Sequence, residues 1–231
     1  MPIELHYWPT PNGWKVSIAL EEMGLPYDLR LVDISKGEQF APDFLAIAPN
    51  NRMPAIVDPE GPDGAPISIF ESGAILQYLA RKTGLFCGRT ERERVAVDQW
   101  LMWQMGGVGP MAGQAHHFLH YAPTLEPPEV LPYAQGRYRR EVGRLYGVLD
   151  RQLARTRFAA TDDLTIADMA IYPWAQGWER QEQTLDDKPH FARWLAEVAE
   201  RPGVGRGMGV AADRRGGPPD PRAREVLFGR R

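Results

Sequence analysis

Asn51-Arg52-Met53-Pro54-Ala55-Ile56 decides how the first third of this chain is read. A proline stands directly before the short apolar run Ala55–Asp58, where a strand begins. Working outward, Ile3–Trp8 alternates and carries aromatics, so it reads as a first strand. Thr10-Pro11-Asn12-Gly13 reads as a turn with two breakers. Val16, Ile18, Ala19, Leu20 and Met23 mark a helix over Trp14–Met23, stopped by Gly24. Tyr27–Val32 is a second strand, and residues 37–48 are polar with one short helical piece. Pro66–Phe70 is a further strand, and a helix runs from Glu71 or Ser72 to about Lys82. The order is β-α-β-α-β-β-α, an α/β unit with a sheet covered by helices. In that setting the Met53–Pro54 bond reads as cis, a minority state kept only where the structure fixes it. It would turn the backbone N–H and C=O of Met53 toward an extended peptide. An ordinary trans proline at a strand start is the plain alternative.

Beyond this unit the character changes. Residues 84–90 form a short polar link, and no convincing strand follows. Arg92–Met105 has a helical pattern ending near Gly106-Gly107. Pro132–Leu153 is a second long helix, with Val142, Leu145, Leu149 and Leu153 at three- and four-residue spacings. Thr165-Ile166-Ala167-Asp168 has the form of a capping box with Asp for Glu, opening a helix to about Trp178. Asp168 reads as its structural carboxylate. Lys188–Arg201 gives one more amphipathic helix. The chain therefore divides into an α/β domain over 1–83, a link over 84–90, an all-α domain over 91–205, and a tail over 206–231. The tail, rich in Gly, Pro and Arg, reads as poorly ordered or surface-wrapping.

The 231 residues carry a formal net charge of −3, so nothing electrostatic favours nucleic acid or an anionic membrane. No apolar run approaches the roughly 20 residues of a membrane span, and the first residues lack a secretory pattern. The single cysteine, Cys87, rules out an internal disulfide framework and suits a reducing compartment. A cytoplasmic protein is expected. His116, His117 and His120 could place two imidazoles on one helix face, but no further ligands stand at metal-binding spacing. No metal is expected. Residues 203–209 superficially suggest a nucleotide loop, yet they follow a helix rather than a strand.

Phe70-Glu71-Ser72-Gly73 is the second informative segment. Ser72 at a helix opening offers a hydroxyl and free backbone N–H groups to a carboxylate. Glu71 beside it can accept from an ammonium. A ligand carrying both an α-amino and an α-carboxylate group would satisfy the pair. A plain serine N-cap is the alternative.

Together, M-P-A-I-V at Met53–Val57 and E-S-G-A-I-L-Q-Y-L at Glu71–Leu79 resemble the glutathione-binding half of the glutathione transferases. Pro9–Gly13, Gly37–Phe40, Ala48–Asp58 and Gly107–Phe118 extend the likeness, over residues 3–202, to the nu class. That is the bacterial disulfide-bond reductase type, related to fungal Ure2-like proteins. The resemblance implies a thioredoxin-like N-terminal domain, an all-α C-terminal domain and a homodimer. It implies glutathione contacts at Thr10, Asn12, Gln39, Met53 with Pro54, Glu71 and Ser72, and one from the helical domain at Arg137. No tyrosine or serine follows the first strand to activate a thiol. Thr10 and Asn12 stand there, and a hydroxyl and an amide N–H can favour a thiolate. No Cys-x-x-Cys occupies the turn, so redox chemistry must use glutathione's own sulfur. Ala115 departs from the family's usual Asn and can donate no hydrogen bond from its side chain.

Three functions compete on this reading. The first is reduction of small disulfides by bound glutathione, which leaves as oxidised glutathione. The second is conjugation of glutathione to an electrophile, in a pocket lined by Trp8, Trp14, Met111 and His117. The third is a non-catalytic glutathione-binding regulatory module.

Overall fold

The computed structural model describes residues 1–215 and 220–229. It divides into two compact units, Met1–Thr83 with Pro202–Arg231, and Gly84–Arg201.

The first unit is built on a four-stranded mixed sheet in the order β2-β1-β3-β4. Strand β1 (Ile3–Tyr7) leads into helix α1 (Pro11–Met23) and then β2 (Tyr27–Leu31). The alternation read from the sequence is observed: Ile3, Leu5 and Tyr7 are buried. β2 runs parallel to β1 as an edge strand, with Asp28 and Arg30 exposed on it. Helix α2 (Pro42–Ile47) precedes β3 (Ala55–Asp58), and β4 (Ile67–Phe70) leads into α3 (Ser72–Thr83). β3 is antiparallel to β1 and to β4, with Ala55 opposite His6 on one side and Phe70 on the other. Leu5, Val16, Ile18, Leu20, Ile56, Ile75 and Leu79 form the core.

Helix α1 begins three residues before the sequence suggests. Proline is tolerated in a helix's first turn, and Thr10 caps it by accepting from the N–H of Gly13 at 3.5 Å. The expected turn over Thr10–Gly13 is thus the cap and opening of α1. Gly13 is required there, because a Cβ would stand 2.3 Å from the Trp8 carbonyl oxygen.

The C-terminal segment differs most from the sequence reading. Helix α9 (Pro202–Gly209) packs along α1. Its glycines serve close approach rather than freedom: a Cβ at Gly207 would lie 2.5 Å from Ile18 Cα. Ser17 donates to the Gly207 carbonyl at 2.8 Å, and Arg206 meets Glu21 at 2.6 Å. Helix α10 (Pro221–Phe228) follows, capped by Asp220. Residues 216–219 and 230–231, the rest of the expected tail, lie outside the described residues.

The second unit is helical: α4 (Glu91–Trp103), α5 (Gly109–His116), α6 (Pro132–Leu153), α7 (Ile166–Ala175) and α8 (Pro189–Ala199). The link at 84–90 is tied into it, since Ile166 N–H donates to the Phe86 carbonyl and Arg89 pairs with Asp163 at 2.6 Å. Gly106 and Gly107 do not stop the chain's winding. A π-helical turn over Gln104–Val108 carries it from α4 into α5, where Gly113 abuts the Trp174 ring. Asp168 is fully buried at the head of α7. Its carboxylate accepts from Ala159 N–H at 2.8 Å, Trp194 Nε1 at 2.9 Å, and both the N–H and hydroxyl of Thr165. Those donors occupy a group whose pKa burial pushes up, so its role is structural.

His116 faces Trp174 with ring centroids 6.0 Å apart. Burial holds its pKa down at about 4, helped by the charges of Arg180 and His120. The unfolded imidazole titrates near 6.5, so the unfolded chain takes up the proton first as pH falls. Stability is therefore expected to be full above pH 6.5 and to decline toward pH 4. Urea unfolding should show His116→Gln losing less stability than the unaltered chain across that window.

Candidate functional site

Three chain segments converge at one end of the sheet in the first unit. The cap and first turn of α1, directly after β1, carry Thr10 and Asn12, the approach to β3 carries Met53 and Pro54, and the β4–α3 junction carries Glu71 and Ser72. The Met53–Pro54 peptide is cis. Met53 is buried in a cluster with Val32, Phe44, Ala48 and Ala55, against which Trp8 and Ile34 pack. The Thr10 hydroxyl, at the head of α1, lies 3.5 Å from the Met53 sulfur as donor. The positive end of the α1 dipole stands at the same place.

Glu71 adopts left-handed backbone, φ 68°, between β4 and α3. That conformation is costly for a non-glycine residue and concentrates at ligand sites. Its carboxylate is exposed and accepts from the Asn50 side-chain amide at 3.3 Å. Ser72 is buried as the first residue of α3. Gln39 is also buried: its Nε2 donates to the Ile34 carbonyl at 3.4 Å, while its Oε1 has no partner among the described residues. The segment read as a polar stretch thus delivers one amide into the interior beside the Met53 cluster.

Two residues went unnoticed in the sequence. Lys15 is 1% exposed inside α1, and burial pushes its pKa down to about 7 against the opposing pull of Glu71. A lysine in the apolar run Trp14–Leu20 was the available signal. Asn50, which donates to Glu71, lies in the Ala48–Asp58 stretch that carried the resemblance but was given no role of its own. Tyr7 is no thiol-activating group. It is wholly buried, with its pKa pushed up to about 12, and its hydroxyl donates to the Val210 carbonyl at 3.2 Å.

Arg137 belongs to the second unit, on α6. It lines a hollow of about 390 Å³ with Met111, Tyr138, Arg140, Glu141 and Arg144. Glu141 is engaged by Arg144 through two nitrogens, at 2.9 and 2.6 Å. Among the four expected second-substrate residues, Trp14 is corrected: it is buried, with the Arg215 guanidinium stacked 4.7 Å above its ring. Ala115 is fully buried in α5. Among the described residues no group of three His, Cys, Asp or Glu side chains could hold a metal ion, and no helix is long and apolar enough to cross a membrane.

Residues 10–82 match the model of the glutathione S-transferase N-terminal domain, and residues 116–202 that of the C-terminal domain. The chain belongs to the glutathione S-transferase family. This transferase is 48% identical, over 89% of its length and 94% of the relative's, to disulfide-bond oxidoreductase YfcG of Escherichia coli. It is 41% identical to disulfide-bond oxidoreductase YghU of the same organism, covering 89% of this chain and 74% of that one. A glutathione transferase from Pseudomonas putida, solved with one glutathione disulfide bound per subunit, superimposes with a TM-score of 0.85. That structure is 41% identical, with 91% and 92% of the two chains covered. The thioredoxin-like fold of the N-terminal domain and the helical C-terminal domain are those of the family.

The buried, unpartnered Oε1 of Gln39 costs the transferase stability, since an unsatisfied buried acceptor carries its full desolvation penalty. Gln39→Leu removes that acceptor together with the donor to the Ile34 carbonyl, so the gain and the loss, each about 1 kcal/mol, should nearly cancel in the ligand-free protein. A urea midpoint shifted by much more than that, in either direction, would contradict this account of the residue.

Proposed function

We propose that this transferase is a glutathione-dependent disulfide-bond reductase that uses the thiolate of bound glutathione. The observation that carries the reading is the Thr10 hydroxyl, set at the positive end of α1 and already donating toward a sulfur atom, that of Met53. A thioether is a weak acceptor, whereas a thiolate is a charged one, so a ligand thiolate placed there would take the donor over. The likeness to YfcG and YghU, and to a structure holding glutathione disulfide, supports the same chemistry.

In this reading glutathione lies extended along the cis Met53–Pro54 edge, pairing with the backbone of Met53, and Gln39 gives it a side-chain amide. Glu71 accepts from its α-amino group, while Ser72 and the opening of α3 receive its α-carboxylate. Thr10 and Asn12 hold the sulfur as thiolate. That thiolate attacks one sulfur of a small disulfide, forming a glutathione mixed disulfide and expelling the other half as a thiolate, which takes a proton. A second glutathione, steered by the charge of Arg137, then attacks the mixed disulfide at the glutathione sulfur. The products are oxidised glutathione and the second thiol. The chain has one cysteine, Cys87 on the link, and it takes no part. The enzyme works in the cytoplasm as a homodimer, and needs neither metal nor nucleic acid.

Replacing Thr10 by Val and Asn12 by Ala together is expected to lower kcat with hydroxyethyl disulfide by roughly 100-fold, the scale of losing preorganised donors to a reacting anion. The Kd for glutathione should change only a few-fold. Undiminished turnover in the double variant would refute the roles given to these residues.

A further inference from the structure

The hollow of the second unit has a charge pattern that one glutathione contact does not use up. Helix α6 carries Arg137, Arg139, Arg140 and Arg144. Two of these are engaged: Arg139 pairs with Glu182 at 2.6 Å, and Arg144 grips Glu141 through two nitrogens. Arg137 and Arg140 have no carboxylate partner among the described residues. Three positions apart, they share one face of the helix, where like charges repel. Both line the hollow, whose one acidic residue, Glu141, is already held by Arg144.

Packing fixes the walls. Tyr138 stacks on Phe118, with ring centroids 5.4 Å apart and planes 4° from parallel, and Gln135 Nε2 donates to the Phe118 carbonyl at 2.9 Å. Met111 supplies an apolar side from α5, which packs on α6. Glycine inside a helix is unfavourable, yet Gly136 stands buried in α6, and a Cβ there would lie 3.1 Å from Nη1 of Arg140. The Arg140 guanidinium therefore lies back over the preceding turn, against bare backbone. A hollow of about 390 Å³ is at the small end of ligand pockets, so its occupant is a small molecule and not a folded partner.

We infer that this hollow makes the enzyme prefer small disulfides that carry carboxylates, and that Arg140 is a specificity-determining residue for them. This rests on the reading given above, in which Arg137 meets ligand. Two guanidiniums without acceptors, beside an apolar wall, suit an aliphatic chain that ends in a carboxylate. A planar guanidinium can meet that group with two parallel hydrogen bonds. A neutral disulfide leaves both charges unanswered, and a cationic one adds repulsion. Charge, not size, thereby ranks substrates of equal length.

The test compares three disulfides of similar length: dithiodipropionate, hydroxyethyl disulfide and cystamine, which are anionic, neutral and cationic at neutral pH. With the full chain, fixed glutathione and the uncatalysed exchange subtracted, kcat/KM is expected to fall in that order. Each step should be about fivefold, the scale of an exposed ion pair, and should shrink at high salt. In Arg140→Gln each step should drop to about twofold, whereas a merely structural arginine would scale all three rates alike. An order unrelated to charge, or one that Arg140→Gln leaves intact, overturns the inference. Equal turnover of all three by the unaltered chain overturns it too, while the disulfide-reductase reading stands. Silence with all three overturns that reading, and this inference with it.

Discussion

The pairing of Ala55 with His6 on one side and Phe70 on the other holds the rest of the arrangement in place. Side chains alternate along a strand, so a slip of one residue would turn the buried set outward. With this register, three segments distant in sequence come to the same end of the sheet. Thr10 follows β1, Met53 and Pro54 precede β3, and Glu71 with Ser72 follows β4. Ala55 and Ile56 are fully buried, so the hydrophobic effect that seats the sheet also sets where the polar groups stand. The candidate site is thus made of the ends of regular elements.

What gathers there is suited to an anionic, zwitterionic peptide and to a sulfur. Two helices open at this end, and helix openings favour negative charge. Thr10 caps one of them and donates toward Met53 sulfur; Glu71 supplies an acceptor beside the other. Sulfur chemistry in such a place depends on a thiolate, which donors and positive dipoles favour over the thiol. The C-terminal helix α9 has a supporting part. By packing on α1 through Gly207 and receiving the Ser17 hydroxyl, it steadies the helix whose first turn carries Thr10 and Asn12.

Much of this was legible in the residues. The alternation of Ile3–Tyr7, the proline before Ala55 and the serine at the opening of α3 led to the strands, the cis bond and the converging segments. Pro132–Leu153 was readable to its ends, from the proline of its first turn to the apolar face of Val142, Leu145, Leu149 and Leu153. Where reading stopped, a local signal was overridden by tertiary contact. Pro11 and Gly13 look like turn residues, yet a threonine cap and a tight fit under Trp8 make them helical. Gly203 and Gly207 look like a loose tail, yet their missing side chains let α9 approach α1. Lys15 was passed over because nothing in a single sequence tells a buried lysine from one that reaches solvent.

Turnover of a small disulfide, set beside conjugation of an electrophile, tests the central claim most directly. Purified protein is mixed with glutathione and hydroxyethyl disulfide, oxidised glutathione formation being coupled to NADPH loss, while a parallel cuvette holds chlorodinitrobenzene. The account predicts rapid disulfide turnover and weak conjugation. Strong conjugation with little disulfide turnover, or silence in both cuvettes with glutathione still bound, would contradict it.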